Sequence, residues 1–234
     1  MIDPPNAEPQ GRNQPRFEIA IPIFLVIIGG FTALWDGLRT SCGDGATLFI
    51  VRRDYVTGLW GHSYGAWLGS GERVADFDRV NHWGLKAAAY QTGVELGLPS
   101  EMEIARTNLL DPLHAQWAMS ASSGQAGSIP IEMGSIQREI VGFYEPYTTR
   151  IGRSVIRSTK GWLWGRGFDL EIDSKSGSVG HVADAERFLY SKLPFAPVHY
   201  RMCVAKGVPA EATFGLLASV VVADIQNDGD NHKK

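Results

Sequence analysis

Ile19 to Trp35, IAIPIFLVIIGGFTALW, runs seventeen residues without a charge, bracketed by Arg16 and Glu18 before it and Asp36 and Arg39 after it. A bilayer core of roughly 30 Å needs about 20 apolar residues of helix, with about 17 as the lower limit, so the run suffices for a membrane anchor. Pro22 and the pair Gly29-Gly30 suit a soluble helix interior poorly. Both residue types are commoner in membrane helices, and Trp35 stands where an interfacial aromatic belongs. Two other readings compete. One is a cleaved secretory signal, for which the small-residue pattern after the apolar core is imperfect. The other is a helix or strand of a soluble core.

Working outward, Arg12 and Arg16 precede the run, while Arg39, Arg52 and Arg53 follow it. That bias is slight, so orientation rests on the short polar leader. The expectation is a single-pass membrane protein with its N-terminus in the cytoplasm and the bulk of the chain outside it. Residues 1–18 then form a flexible tail, 19–35 the transmembrane anchor, 40–226 one extracytoplasmic α+β domain and 227–234 a disordered tail. Hydrophobic residues at 44% and charged residues at 20% describe a chain that can bury a core, which excludes disorder for the bulk of it. A net charge of −3 without a basic run argues against nucleic acid as a partner. Cys42 and Cys203 would pair in an oxidising compartment, closing a loop worth about 4 to 5 kcal/mol in the chain-entropy model. Two unpaired buried thiols are the other reading.

Within the domain, Thr47 to Val51 reads as a strand with Tyr55 to Trp60 as its partner. Asp78 to Leu96 reads as a helix, because Val80, Trp83, Ala87, Tyr90 and Val94 recur at intervals of three and four. Ser100 and Glu103 have capping-box spacing, so a second helix is expected over 101–108, resuming over 112–119. After the linker-like SASSGQAGS at 120–128, short runs broken by glycine predict an antiparallel sheet: 129–133, 139–144, 148–151, 155–158, 161–164 and 168–172. Val182 to Leu193 looks helical and His199 to Val204 extended. Thr213 to Ile225 fits a helix through Phe214, Leu217, Val221 and Ile225, or a strand through Val220 to Val222. The expected fold is therefore α+β, with a transmembrane helix, two early helices and a mostly antiparallel sheet later.

One motif carries chemistry. In Gly61-His62-Ser63-Tyr64-Gly65 the G-x-S-x-G spacing lets a backbone turn sharply from strand to helix and lift a serine hydroxyl clear of a sheet. This GHSYG resembles the nucleophile elbow of α/β-hydrolases such as lipases and esterases. Leu163 to Asp169 is similar to the strand end that bears that family's acid, and Gly180-His181 to the segment that bears its histidine. The resemblance implies Ser63 as nucleophile, His181 as base and Asp169 as the carboxylate that fixes the imidazole tautomer. Gly69 and Gly71 stand where the family's elbow helix would begin, and only about 25 residues separate the anchor from Ser63. The competing reading of GHSYG is a glycine-rich turn with His62 and Tyr64 bonded locally.

Other constellations are less specific. His181 with Asp184, or His62 with His82, could ligate a metal, although neither spacing defines a site. Trp162, Trp164 and Arg166 alternate as on one strand face, which suits a stacking platform or core packing. No GxxxxGK[ST], GxGxxG or CxxC is present, so no cofactor is expected. Two functions follow. The first is a membrane-anchored subunit or assembly component that binds other membrane or envelope proteins. The alternative is a tethered serine hydrolase working through Ser63.

Overall fold

The computed structural model describes residues 42–43, 45–54, 63–81, 84–90, 96, 101–108, 114–121, 130–139, 146–160, 165–172, 178–188 and 199–231. Among these the chain forms twelve strands and one helix. The strands are β1 (Thr47–Asp54), β2 (Ser63–Leu68), β3 (Arg73–Asn81), β4 (Gly84–Ala89), β5 (Glu101–Arg106), β6 (Gln116–Ala121), β7 (Ile131–Arg138), β8 (Tyr147–Ile151), β9 (Ser154–Lys160), β10 (Gly165–Ile172), β11 (Ser178–Arg187) and β12 (His199–Val204). The helix, α1, spans Ala210–Asn231. Each strand pairs antiparallel with its neighbours in sequence, and β1 pairs with β12, so the sheet closes into an up-and-down barrel. Closure leaves no strand edge to aggregate through.

The strands alternate as a one-sided sheet requires. On β1, Phe49, Val51 and Arg53 are buried while Arg52 is exposed; on β5, Met102 and Ile104 are buried while Glu101 and Glu103 are exposed. What the buried side faces is α1. Thirteen consecutive helical residues, 212 to 224, are buried, so no side of this stretch meets water. A helix apolar all round must be enclosed, and its neighbours lie on opposite walls. Phe214 stacks on Phe77 of β3 with ring centroids 5.6 Å apart. Ser219 shares a 2.6 Å hydrogen bond with Thr149 of β8. A helix with its side chains is about 10 Å across, and a barrel of twelve strands is wide enough to hold one where eight would be filled by side chains alone. The helix lies closest to β8 and β9. Gly215 permits that approach: a Cβ there would stand 3.0 Å from Ile156 Cδ1 and 3.1 Å from Ile151 Cγ2.

The barrel has two distinct ends. At the proximal end β12 finishes, Gly207 turns the chain with φ of 87°, and α1 begins after Pro209. Odd-numbered strands run from this end to the distal one, where α1 emerges. Cys42 and Cys203 form a disulfide. It fastens the segment leading into β1 onto β12, whose Cys203 lies opposite Leu48 of β1, so it staples the seam where the first and last strands close the barrel.

The expected α+β domain is therefore corrected to an all-antiparallel barrel around one C-terminal helix. The stretch read as a first helix, 78–96, contains the end of β3 and all of β4; 101–108 contains β5, 112–119 runs into β6, and the start of 182–193 belongs to β11. The physical reason is the filled lumen. A lumen that already holds a helix leaves room for only small side chains at many inward positions, and the buried Ala66, Ala75, Ala87, Ala121, Ala183 and Ala185 are of that kind. Alanine is the best helix former and a poor strand former on intrinsic preference, so a stretch such as KAAAY misleads. Val80 and Tyr90, taken as part of a buried stripe, are exposed. No described helix is long and apolar enough to cross a membrane. The expected transmembrane run, 19–35, lies outside the described residues, as do 1–18, 55–60 and 161–164. The expected strands 148–151, 155–158 and 199–204 correspond to β8, β9 and β12, and the ambiguous 213–225 is helical.

Candidate functional site

The distal half of the barrel holds the charged chemistry. Asp224, in the last buried turn of α1, is 3% exposed and accepts hydrogen bonds from three strands. Arg53 of β1 donates from Nε at 3.1 Å and from a terminal nitrogen at 2.7 Å, both to Oδ2. Tyr64 of β2 donates its hydroxyl to the same oxygen at 2.8 Å. Tyr200 of β12 donates to Oδ1 at 2.6 Å. The four bonds satisfy a carboxylate that would otherwise be costly to bury. Burial, the Asp224 charge and the hydrogen bond to Asp224 together push the Tyr200 phenol far above its ordinary range. This cluster ties the helix to the β12–β1–β2 seam.

Around it, the register of the barrel gathers basic residues. Arg53, Arg79, Arg106, Arg138 and Arg187 are the last inward-facing positions of β1, β3, β5, β7 and β11. Their cross-strand partners place them so: Arg53 opposite Tyr64, Arg79 opposite Leu85, Arg106 opposite Trp117, Arg138 opposite Tyr147 and Arg187 opposite Tyr200. Lys160 ends β9 at the equivalent register position, two residues beyond Ser158. Every ascending strand thus carries a basic residue at or within two positions of its distal end. Arg53 and Arg138 are buried, whereas Arg79, Arg106 and Arg187 are half-buried. Arg106 donates from Nε to the Asn108 carbonyl at 3.0 Å and stands 5.9 Å over the Trp117 ring. Sequence reasoning missed this collar. Its signal was the recurrence of a basic residue at 53, 79, 106, 138, 160 and 187, intervals of 26, 27, 32, 22 and 27 residues, which becomes a pattern only once the hairpins are paired.

The three residues of the hydrolase reading fall apart into two places. Asp169 of β10 and His181 of β11 are cross-strand partners. His181 is exposed, with Nε2 3.1 Å from Asp184 Oδ2. The register shift after Phe168 lets positions 181 and 184 share a face despite their odd spacing. Ser63 opens β2 at the distal end, opposite Asp54. Ala183, two residues past His181, is level with Thr47 at the proximal end through Val204. Seven strand residues therefore separate the two levels, about 23 Å at 3.3 Å per residue, with β1 and β12 between the strands as well.

The local context of the motif also differs from an elbow. Ser63 leads into a strand, not a helix. Gly65 has its own reason: a Cβ there would stand 2.2 Å from the Trp67 indole, which folds across it. That indole lies on the outer face with the guanidinium of Arg73 at 5.1 Å and of Arg52 at 5.7 Å from its centroid. Arg73 also pairs with Asp76, which accepts from the Tyr90 hydroxyl. The two basic groups over one ring are cation–π contacts.

Among the described residues no three histidine, cysteine, aspartate or glutamate side chains gather as metal ligands. His62, His82, Trp162 and Trp164 lie outside the described residues, and Arg166 takes a register position on β10 opposite Lys160. Compared with known proteins, the chain matches no family model, no curated protein and no solved structure.

Proposed function

We propose that this chain acts by binding: a membrane-tethered barrel outside the cytoplasm that serves other membrane or envelope proteins as a subunit or assembly component. The observation that carries the reading is the filled lumen. A barrel that leaves its interior open encloses a ligand; here α1 occupies that space, which leaves the outer wall and the two mouths for recognition. The hydrolase alternative finds no comparable support, with Ser63 and His181 at opposite ends.

Two features support the tether and the compartment. A disulfide between cysteines 161 residues apart suits an oxidising compartment. Seven residues lead from Trp35 to Cys42, at most about 25 Å of chain, so an anchor over 19–35 keeps the proximal end near the bilayer. At that end Ile131, at 61% exposure, and Tyr90, at 45%, are apolar or amphipathic groups in water, of the kind that rest well at a membrane interface. The distal mouth then points away from the membrane.

The test combines topology with contact. In intact cells, Cys42 and Cys203 should resist alkylation until a reductant is added, and the protein should stay with membranes through carbonate extraction. A photoreactive residue at position 80, on the exposed distal wall, should give a discrete adduct with a protein of the same membrane. Free thiols, release by carbonate or a persistently unadducted monomer would each defeat a part of the reading.

A further inference from the structure

A closed barrel is one of the two structures that can cross a bilayer, so closure leaves open where the outer wall of this one stands. The composition of that wall decides it. Asp78 on β3, Lys86 on β4, Glu103 on β5, Arg150 on β8, Arg157 on β9 and Asp184 on β11 are exposed, and each follows a buried residue that points inward. None is the first or last residue of its strand. Asp78, Lys86 and Glu103 are cross-strand neighbours, so charge continues from strand to strand around the wall. Among the described residues the large apolar side chains that are exposed are Val80, Tyr90 and Ile131. They are scattered, one near the distal end of β3, one just past β4 and one at the start of β7.

We infer that the wall of the barrel stands in water over its whole height, and that the barrel itself does not span the membrane. A spanning barrel is the inverse of this one: it turns an apolar band about 25 Å tall to the lipid, girdled by aromatic residues, and keeps its polar groups for the lumen. Here the lumen holds the apolar helix and the charges lie outside. A carboxylate, ammonium or guanidinium turned toward lipid loses its hydration and gains no partner there. Strand length agrees. A tilted strand needs about 9 to 11 residues to cross, whereas β2, β4, β5, β6 and β12 have six each and β8 has five. The inference concerns the barrel alone and holds with or without an anchor over 19–35. Joined to the proposed binding role, and resting on it for this step, it fixes the kind of surface a partner presents. A membrane protein must meet this wall with its parts outside the bilayer, through contacts between charged and polar groups that salt weakens.

The test reconstitutes the full chain in liposomes, its disulfide intact, with a nitroxide at position 86, 103, 150 or 184 and, in a fifth variant, at position 26 within the apolar run. Collision with oxygen, which concentrates in lipid, is compared with collision with a nickel chelate, which stays in water. The expected result is frequent collision with the chelate at all four wall positions and about tenfold less at position 26, as a hydrocarbon core demands. A wall label that oxygen reaches and the chelate does not overturns the inference. Four wet wall labels beside an equally wet label at position 26 support the inference and defeat the anchor instead, so the two readings fail separately. Cleavage gives an independent measure. With a protease site inserted between Asp36 and Ser41, cutting should release the barrel from the liposomes into the supernatant, and its retention after a high-salt wash overturns the inference.

Discussion

Replacing Asp224 with asparagine removes the charge at the centre of the helix anchorage while keeping its shape. The carboxylate receives two N–H bonds from Arg53 and one hydroxyl bond each from Tyr64 and Tyr200. Arg53 is 6% exposed, so the substitution leaves a guanidinium buried beside a neutral amide that must also turn one of its own donors toward a donor. Breaking a buried pair by removing one partner costs about 3 to 5 kcal/mol. For a domain of this size each kcal/mol shifts Tm by about 2 to 4 °C, so the loss should read as roughly 6 to 20 °C in a thermal melt. The double variant Asp224→Asn/Arg53→Met distinguishes the cause. Removing both charges deletes the uncompensated ion, so the double variant should be more stable than the single one. A single-variant shift of under about 2 °C, or a double variant no better than the single, would refute the argument that this pair holds the helix in place.

Tyr200 sets an alkaline limit. Its phenol is held protonated by the fold, whereas in the unfolded chain it titrates near 10; the raised value contributes stability in full below about pH 10 and loses it as pH climbs past that point. Urea midpoints should therefore fall from pH 9.5 to 11, by less in Tyr200→Phe, and an equal fall in both would sink the assignment. Reducing the disulfide, or Cys42→Ser, releases a closure of 161 residues and should cost about 4 to 5 kcal/mol by loop entropy, read as a lower Tm with reductant that the serine variant no longer shows. At Gly215, leucine should destabilise by about 1 to 3 kcal/mol through overpacking against Ile151 and Ile156, while alanine should stay near neutral because its helix preference offsets the tight contact; a tolerated leucine would place the helix farther from β8 and β9 than described. Ser63→Ala should leave fluorophosphonate reactivity unchanged at background, and labelling that disappears with this change would restore the hydrolase reading.

How much of this was legible in the chain depended on the side of the sheet a residue occupies. β8, β9 and β12 announce themselves because residues such as Thr149, Ile151, Ile156 and Val204 favour strands. β3 to β6 do not, because the helix they enclose asks for alanine and methionine where an open barrel would ask for valine and leucine. The all-apolar face of α1 was visible in Phe214, Leu217 and Val221, and the rest of its circumference, Leu216, Val220 and Val222, equally apolar, was the sign that it lies in a core. The collar was illegible for a different reason. Its members are separated by whole hairpins, and only pairing brings them level. GHSYG misled because a short glycine-rich motif fixes no partners in space: Ser63 and Gly65 have local roles in β2 that need no histidine.

The position of α1 after all twelve strands has a consequence for how the protein comes into being. The piece that all twelve strands wrap is made after them, so the strands emerge before their interior, and β1 waits for β12 before either loses its edge. Closure must follow the synthesis of α1, over contacts of long sequence separation that form slowly. During that interval the incomplete sheet is the species exposed to aggregation and to chaperones. A premature stop or a cut just before Ala210 would therefore remove the helix that fills the barrel and leave its strands without an interior. A helix supplied separately as a peptide offers a direct way to time the closure.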